Sequence, residues 1–374
     1  MNLDFVRPLV EHPGSWVSAY LDATRAGENA DHEVGLRWRA LREQLREDGA
    51  DSATLEAVEA AVQDHPYQPG QYGLAVFARD GEVAMVQTLP AAPPADQAYT
   101  GPLPHLMPWI AQRGEEIPYV RVLTDRTGAD LDALSVGGVA RHHEVTGSAT
   151  FPLRKVQVGG WSHRHYQQAV EESWKRNAGD VATAAADLAE SVGAEVIVVG
   201  GDVRAVQTFA GRLPKRWQDR VVRTDAGSRA AGADETPLDD VTVQAIAEVA
   251  DRRVHEAVER YREQRGNGSA GTGLADVVTR LQRGQVETVL LVDDPSSTDM
   301  LWIAPDEPSL VAVDDHALRE AGVPDPQQVR ADAALLRAIA GTGADLVLVG
   351  PDEAPLEHGI GAVLRYADGD TAAR

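Results

Sequence analysis

The residues from Val158 to His165, VGGWSHRH, place two bare backbone positions beside an indole, a hydroxyl, two imidazoles and a guanidinium. Gly159 and Gly160 let another molecule come close to the main chain, because neither carries a Cβ to hold it off. Ser162 is a good N-cap for a helix, and the first turn beyond it would offer unpaired N–H groups and partial positive charge to a phosphate or an ester carbonyl. A bare turn and cap fits the same letters. The surroundings favour a ligand. The chain has 58 acidic residues against 35 Lys and Arg, a net charge of −23, yet from Val145 to Val170 it has no Asp or Glu. That stretch carries Arg154, Lys155, His163, Arg164 and His165 instead. Nucleic-acid binding over the whole surface is excluded by the negative balance, since it depends on Lys and Arg releasing counterions from phosphates. A local RNA contact through residues 154–165 is the expectation.

Other groups promise less chemistry. His163 is able to act as a general base near neutral pH, but a histidine that touches RNA or solvent is the favoured reading. His142, His143, His163 and His165 have neither helical spacing nor a carboxylate in the loop, and the chain has no cysteine, so no metal site is expected. The lack of cysteine also excludes disulfides and thiolate nucleophiles. VIVVGGD, Val196 to Asp202, lacks the GxGxxG fingerprint and reads as structural. The pairs Asp293-Asp294 and Asp314-Asp315 end strand-like runs and read as solvated turns. No cofactor is expected.

The glycine pair has to be carried by a longer frame. Tyr166, Val170, Trp174, Val181, Ala184, Leu188 and Val192 recur at near-helical spacing and predict one long helix over Ser162–Ser191 with Ser162 as its cap. Before it, YVRVLTD, ADLDALSVGG and VARHHEV have strand character. After it, AEVIVVGG, a helix from about Val203, RVVRT and a helix over Val241–Arg265 complete a βαβα pattern. The chain of 374 residues is too long for one core and predicts two or three domains. The first, residues 1–117, opens with WVSAYLD, two helical stretches (Glu28 to Asp48, Ser52 to Asp64) and a hairpin turning at Asp80-Gly81. Pro90 to Pro104 reads as a semi-rigid connector. The middle domain is 118–265. GNGSAGTG, Gly266 to Gly273, reads as a flexible boundary, and residues 273–374 as an independently folding third domain. The third domain's pattern is helix (Leu274 to Arg283), strands ETVLLVDD and DMLWIAP, helix (Val329 to Thr342), strands ADLVLVG and AVLRY, an α/β/α layer. No apolar run approaches a membrane span, and MNLDFVRPLVEHPGSW lacks the basic and apolar regions of a leader, so a cytoplasmic protein without membrane contact is expected.

KVQVGGWSHRHYQQAVEESWKRNA, LQRGQVETVLLVDD, ADAALLRAIAGTGADLVLVG and GIGAVLRY together resemble the archaeal and eukaryotic peptide-chain release factor one family, above all its bacterial branch, over roughly residues 118–370. In that family a GGQ loop leads into a long helix, and Gly159-Gly160-Trp161-Ser162 stand in the matching place. The resemblance implies an α/β protein of three domains: an N-terminal domain for the decoding region, a middle domain with a mixed sheet and a long helix, and a C-terminal domain similar to the kink-turn-binding ribosomal-protein fold. It also implies a ribosome A-site factor, since the branch includes the hibernation factor Balon. Arg154, Lys155, Gly159, Gly160, Trp161, Ser162, His163, Arg164 and His165 would then meet rRNA of the peptidyl-transferase centre or tRNA, and the C-terminal domain a GTPase, elongation factor Tu. The chain departs from the family where Trp161, with one indole donor, replaces the water-ordering Gln, so hydrolysis is not expected. The alternative is a peptidyl-tRNA hydrolase. The related ankyrin and zinc-finger hydrolases carry Gln three residues after the glycine, which falls on His163.

Overall fold

The computed structural model describes residues 1–25, 30–135, 138–146, 160–230, 232–295 and 297–366, with the main chain alone at 30 and 160–171. The chain divides into two compact units, Met1–Gly114 with Val254–Arg374, and Glu115–Arg253. It is a mixed α/β protein, as expected.

A 3-10 turn (Asp4–Val6) runs into α1 (Arg7–Val10), followed by β1 (Trp16–Asp22), α2 (Ala30–Glu47) and α3 (Ser52–Asp64). The Asp51 carboxylate caps α3 by accepting from Thr54 N at 2.8 Å. β2 (Gly73–Arg79) and β3 (Glu82–Leu89) form the hairpin, with Asp80 at φ 53° and Gly81 at φ 79°. Two successive left-handed residues match the twist of the strands they join. β4 (Gln97–Gly101) and α4 (Met107–Arg113) follow, and the antiparallel sheet has the order β3-β2-β1-β4. β1 is apolar almost throughout because both its faces are covered. Trp16 and Tyr20 enter one core with Phe77 and Trp109, while Val17, Ala19 and Leu21 enter another with Trp38 and Val58. The connector expected over Pro90 to Pro104 contains β4. Its residues between the prolines pair with β1 from Trp16↔Gly101 to Tyr20↔Gln97, at a sheet edge where proline-rich flanks are tolerated.

The second unit holds β5 (Tyr119–Thr124), β6 (Gly128–Leu134), β7 (Ala140–Thr146), α5 (Gly160–Val192), β8 (Val196–Gly201), α6 (Val203–Arg212), α7 (Lys215–Gln218), β9 (Val221–Arg223) and the start of α8 (Thr236–Gly266). The sheet is mixed, in the order β7-β6-β5-β8-β9, with β5, β8 and β9 parallel and β6 and β7 antiparallel. α5 and α6 cover one face over Val120, Val122, Leu131 and Ile197, while Leu238, Ala245 and Val249 of α8 cover Leu123 and Val198 on the other.

The C-terminal elements are β10 (Gly271–Thr272), α9 (Gly273–Gln282), β11 (Val286–Val292), β12 (Met300–Ile303), β13 (Val311–Ala312), α10 (Asp315–Glu320), β14 (Gln327–Arg330), α11 (Ala331–Thr342), β15 (Asp345–Val349) and β16 (Ile360–Leu364). They form two sheets, β10-β16-β11-β15 and β13-β12-β14. Ala257, Val258 and Tyr261 of α8 cover one face of the larger sheet, and α9 and α11 the other, an α/β/α layering in which one helical layer is α8, a helix that the sequence reading assigns to the middle domain. β13, β14 and α10 have too few residues to show a period. Asp314, expected in a turn, caps α10 by accepting from Ala317 N at 2.9 Å.

Two boundaries differ from the sequence reading. Gly266 to Gly273, expected to be flexible, is tied in: Ser269 and Ala270 donate to Gln264 O at 2.8 and 3.2 Å, and Gly271 pairs with Ala362. Residues 1–117 and 273–374, expected as separate domains, share one core. Leu3, Val6, Trp16, Phe77 and Trp109 pack with Val277, Leu281, Leu335, Leu336 and Ile339. Main-chain bonds add to it, with Leu346 N donating to Met1 O at 2.9 Å and Met1 N to Leu346 O at 2.6 Å. The centre of the join is Arg337, wholly buried on the apolar helix α11. Its guanidinium donates to Val10 O (2.8 Å), Glu11 O (3.1 Å), Ala304 O (2.7 Å) and Pro305 O (2.7 Å). Burial draws it down to about 10, so it stays charged at neutral pH.

Replacing Arg337 by Leu leaves four carbonyls without their donor, those of Val10 and Ala304 in buried bonds, and is expected to cost about 3–5 kcal/mol. Urea unfolding measures this as a lower midpoint. An unchanged midpoint would show that the N-terminal segment adds nothing to this unit.

Candidate functional site

The long helix α5 begins at Gly160 rather than at the expected cap Ser162, so Ser162 lies inside the first turn. Trp161, Ser162, His163, Arg164 and His165 follow one another through its first turns, and positions 161 and 165 share a stripe of the helix. No acidic residue occupies the first turn, so none there offsets the positive end of the helix dipole. Arg154, Lys155 and Gly159 lie outside the described residues.

What holds this helix is an anchor in the middle of its length. The Arg126 guanidinium lies 4.5 Å from the centre of the Trp174 ring. One turn on, Asn177, only 2% exposed, donates from Nδ2 to Arg126 O at 3.2 Å. Arg126 in turn pairs with Asp202 at 3.2 Å, and Asp202 caps α6 by accepting from Arg204 N and Ala205 N, both at 3.1 Å. The anchor thus joins α5 to the carboxyl ends of β5 and β8. Gly201 makes this close approach possible, since at φ 120° a Cβ there would sit 2.0 Å from Thr124 O. Beyond the anchor, Val181, Ala182, Ala185, Ala186 and Ala189 form a stripe of small side chains that beds the helix on the sheet. Before it, at 1.5 Å per residue, the helix continues for about 20 Å from Trp174 back to Gly160.

Beside the anchor is a polar crevice of about 480 Å³, lined by Asp125, Asp202, Gly227 and Arg229. Its charges bind one another. Arg229 meets Asp130 at 2.9 Å and Asp125 and Glu144 at 3.4 Å. Burial pushes the Asp125 carboxyl up, but hydrogen bonds from Thr127 and Gly128 and the nearby Arg229 hold it below its ordinary value. A second network lies on the same sheet face. Arg121 binds Asp132 (3.0 Å), Glu235 (2.6 Å) and Asp239. His142 bonds to Asp132 at 2.7 Å, and that hydrogen bond raises its pKa. This histidine of the sequence-level cluster is therefore committed to a carboxylate. No group of three or more metal-ligating side chains occurs among the described residues. Sequence reasoning placed Trp174 on the buried helix face but missed Arg126, Asn177 and Asp202, whose types and spacing carry no signal until the strands bring them together.

Asp293 is half-buried and shares a cavity with Arg330 and Asp332 at the carboxyl end of β11, so it is more than a solvated turn. None of the described helices is long and apolar enough to cross a membrane.

Residues 118–267 match the family model described as bacterial archaeo-eukaryotic release factor family 2. The uncharacterised protein Rv2629 of Mycobacterium tuberculosis is 30% identical over 370 residues, which cover 98% of this chain and 97% of that protein. Among solved structures, the archaeal translation termination factor aRF1 is similar at 16% identity and a TM-score of 0.25, over 97% of this chain and 96% of that one. Pelota from Archaeoglobus fulgidus is similar at 12% identity and a TM-score of 0.34, over 98% and 92%.

The anchor gives a pH-dependent test. Burial pushes the Asp202 carboxyl up, yet the Ala205 N–H and Arg126 hold it below its ordinary value. Its contribution is present above the unfolded value and is lost as pH falls through the lower folded value. Asp202→Ala is expected to lose about 1–2 kcal/mol at pH 7, as for other N-caps. Urea midpoints at pH 7 and near pH 3 check this, and the gap between variant and wild type is expected to narrow at the lower pH.

Proposed function

Because the chain belongs to the bacterial archaeo-eukaryotic release factor family 2, we propose that it occupies the ribosomal A site and holds the ribosome inactive. The observation that carries this reading is the start of α5: a glycine-led helix N-terminus, free of acid in its first turn, on the longest acid-free stretch of a chain of net charge −23. Such an end favours phosphate, and the flanking Arg154, Lys155 and Arg164 would add counterion-releasing contacts with rRNA of the peptidyl-transferase centre. The rest of the reading follows the family resemblance: the N-terminal part meets the decoding region, and the C-terminal part a translational GTPase, elongation factor Tu.

Chemistry argues for binding over hydrolysis. The family's glutamine orders a water for attack on the ester, and good placement of a nucleophile contributes on the order of 7–11 kcal/mol in favourable cases. Trp161 offers one indole N–H and no acceptor. The alternative, a peptidyl-tRNA hydrolase, rests on His163, the fourth residue of α5, acting as base. A positioned base contributes roughly 10²- to 10⁴-fold.

Two measurements test the proposal. The triple variant R154E/K155E/R164E is expected to stop co-sedimenting with ribosomes at moderate salt, and single neutral substitutions to reduce the salt slope by about 0.7–0.9 each. Unchanged binding by the folded triple variant removes these residues from the interface. In single-turnover assays on ribosome-bound peptidyl-tRNA, wild type is expected to release little or no peptide while competing with A-site tRNA. Rapid release that His163→Ala abolishes would make the protein a hydrolase.

A further inference from the structure

A separate cavity of about 240 Å³ lies wholly within the unit of Met1–Gly114 and Val254–Arg374, where β11 ends and α11 begins. One wall is apolar, built by Met107, Leu291, Leu335 and Ile360; the other presents Asp293, Asp294, Asp299, Arg330, Asp332 and His358. The arginine is already engaged. Arg330 donates to Asp332 from Nε at 3.3 Å and Nη2 at 3.0 Å, and to Ser297 O at 3.2 Å, with its guanidinium 5.6 Å from the Tyr99 ring centre. On its other side Asp332 meets Nδ1 of the buried His105 at 3.3 Å. Burial pushes the Asp332 carboxyl up, but His105 and Arg330 together bring it down to about 2, so this pair closes on itself as an ionised unit.

Asp293 is compensated only in part. No side chain among the described residues is bonded or ion-paired to it; burial first, then the Asp332 charge, push its carboxyl above the ordinary value, and the His105 charge offsets them only partly. A half-buried carboxylate facing an apolar wall is stabilised by a cation that brings a hydrocarbon chain with it. An anion would meet Asp293 and find Arg330 spent. The volume is below that of drug-sized pockets, which begin near 300 Å³.

We propose that this cavity binds a primary ammonium on a short alkyl chain, with the ammonium against Asp293 and the methylenes along Met107, Leu291, Leu335 and Ile360. A free diamine and the lysine side chain of a partner protein share this chemistry, and the proposal holds whether or not the protein acts on ribosomes.

The test is calorimetric titration of the full chain at about 150 mM salt, where surface charges more than ~8 Å apart are screened. One arm uses 1,5-diaminopentane, the other a short peptide with a single lysine. Saturable binding in either arm supports the proposal and names the source, provided Asp293→Asn weakens it about tenfold or more, a remote change such as Glu82→Gln leaves it unaltered, and Asp293→Glu retains most of it. Asp293→Asn removes an unpartnered charge, so the unliganded variant is expected to melt at or above the wild-type temperature, which separates lost binding from lost fold. No binding in both arms, or binding insensitive to Asp293→Asn, overturns the proposal.

Discussion

A single guanidinium governs the larger unit. α11 is apolar on every side and has to be buried, yet it carries Arg337 in its middle, and a charge there survives only where enough carbonyls surround it. Two of those carbonyls come from the loop after β12 and two from the C-terminal end of α1, Val10 and the next residue Glu11. The first residues of the chain are thereby fixed to the last hundred. The shared core, the covering of the β1 sheet and the main-chain pairing of Met1 with Leu346 all depend on that constraint.

In the second unit the comparable constraint is mechanical. A helix of 33 residues is supported by the sheet over its second half, and the Trp174, Arg126 and Asp202 chain sets where support begins. Gly160 is thus the first residue of a helix anchored in its middle rather than part of a described loop. The acid-rich networks around Arg121 and Arg229 occupy the sheet face opposite α5. Negative charge is concentrated on that face.

Much of this was legible in the letters, for identifiable reasons. WVSAYLD, the Asp80-Gly81 hairpin, the βαβα order of the middle unit and the long helix have strong local signals, and they stand within a few residues of where periodicity put them. β4, β13, β14 and α10 were not legible, because tertiary pairing and not pattern makes short segments regular. GNGSAGTG misled because composition measures what a segment is able to do, whereas Gly271 is fixed by its pairing with β16. The candidate site divides the same way. The glycine pair and its basic neighbours stood out in an acidic chain, but Arg126, Asp202, His105 and Asp332 are ordinary residues until the fold brings them to their partners. The union of residues 1–114 with 254–374 was the least visible feature, since nothing local records which distant face an apolar strand will meet.

That union has a consequence for biosynthesis. The chain is made from its N-terminus, so the apolar face of the first sheet, with Trp16, Tyr20 and Phe77, waits for Leu335 and Ile339 to be translated. At roughly 5–20 residues per second the delay is on the order of tens of seconds. Over that interval the middle unit, compact in itself, has time to finish, while the nascent N-terminal part keeps an uncovered surface. Contacts so distant in sequence also carry a high loop-closure cost and make the final docking slow. The apolar surface exposed on the growing chain is therefore covered only when α11 arrives.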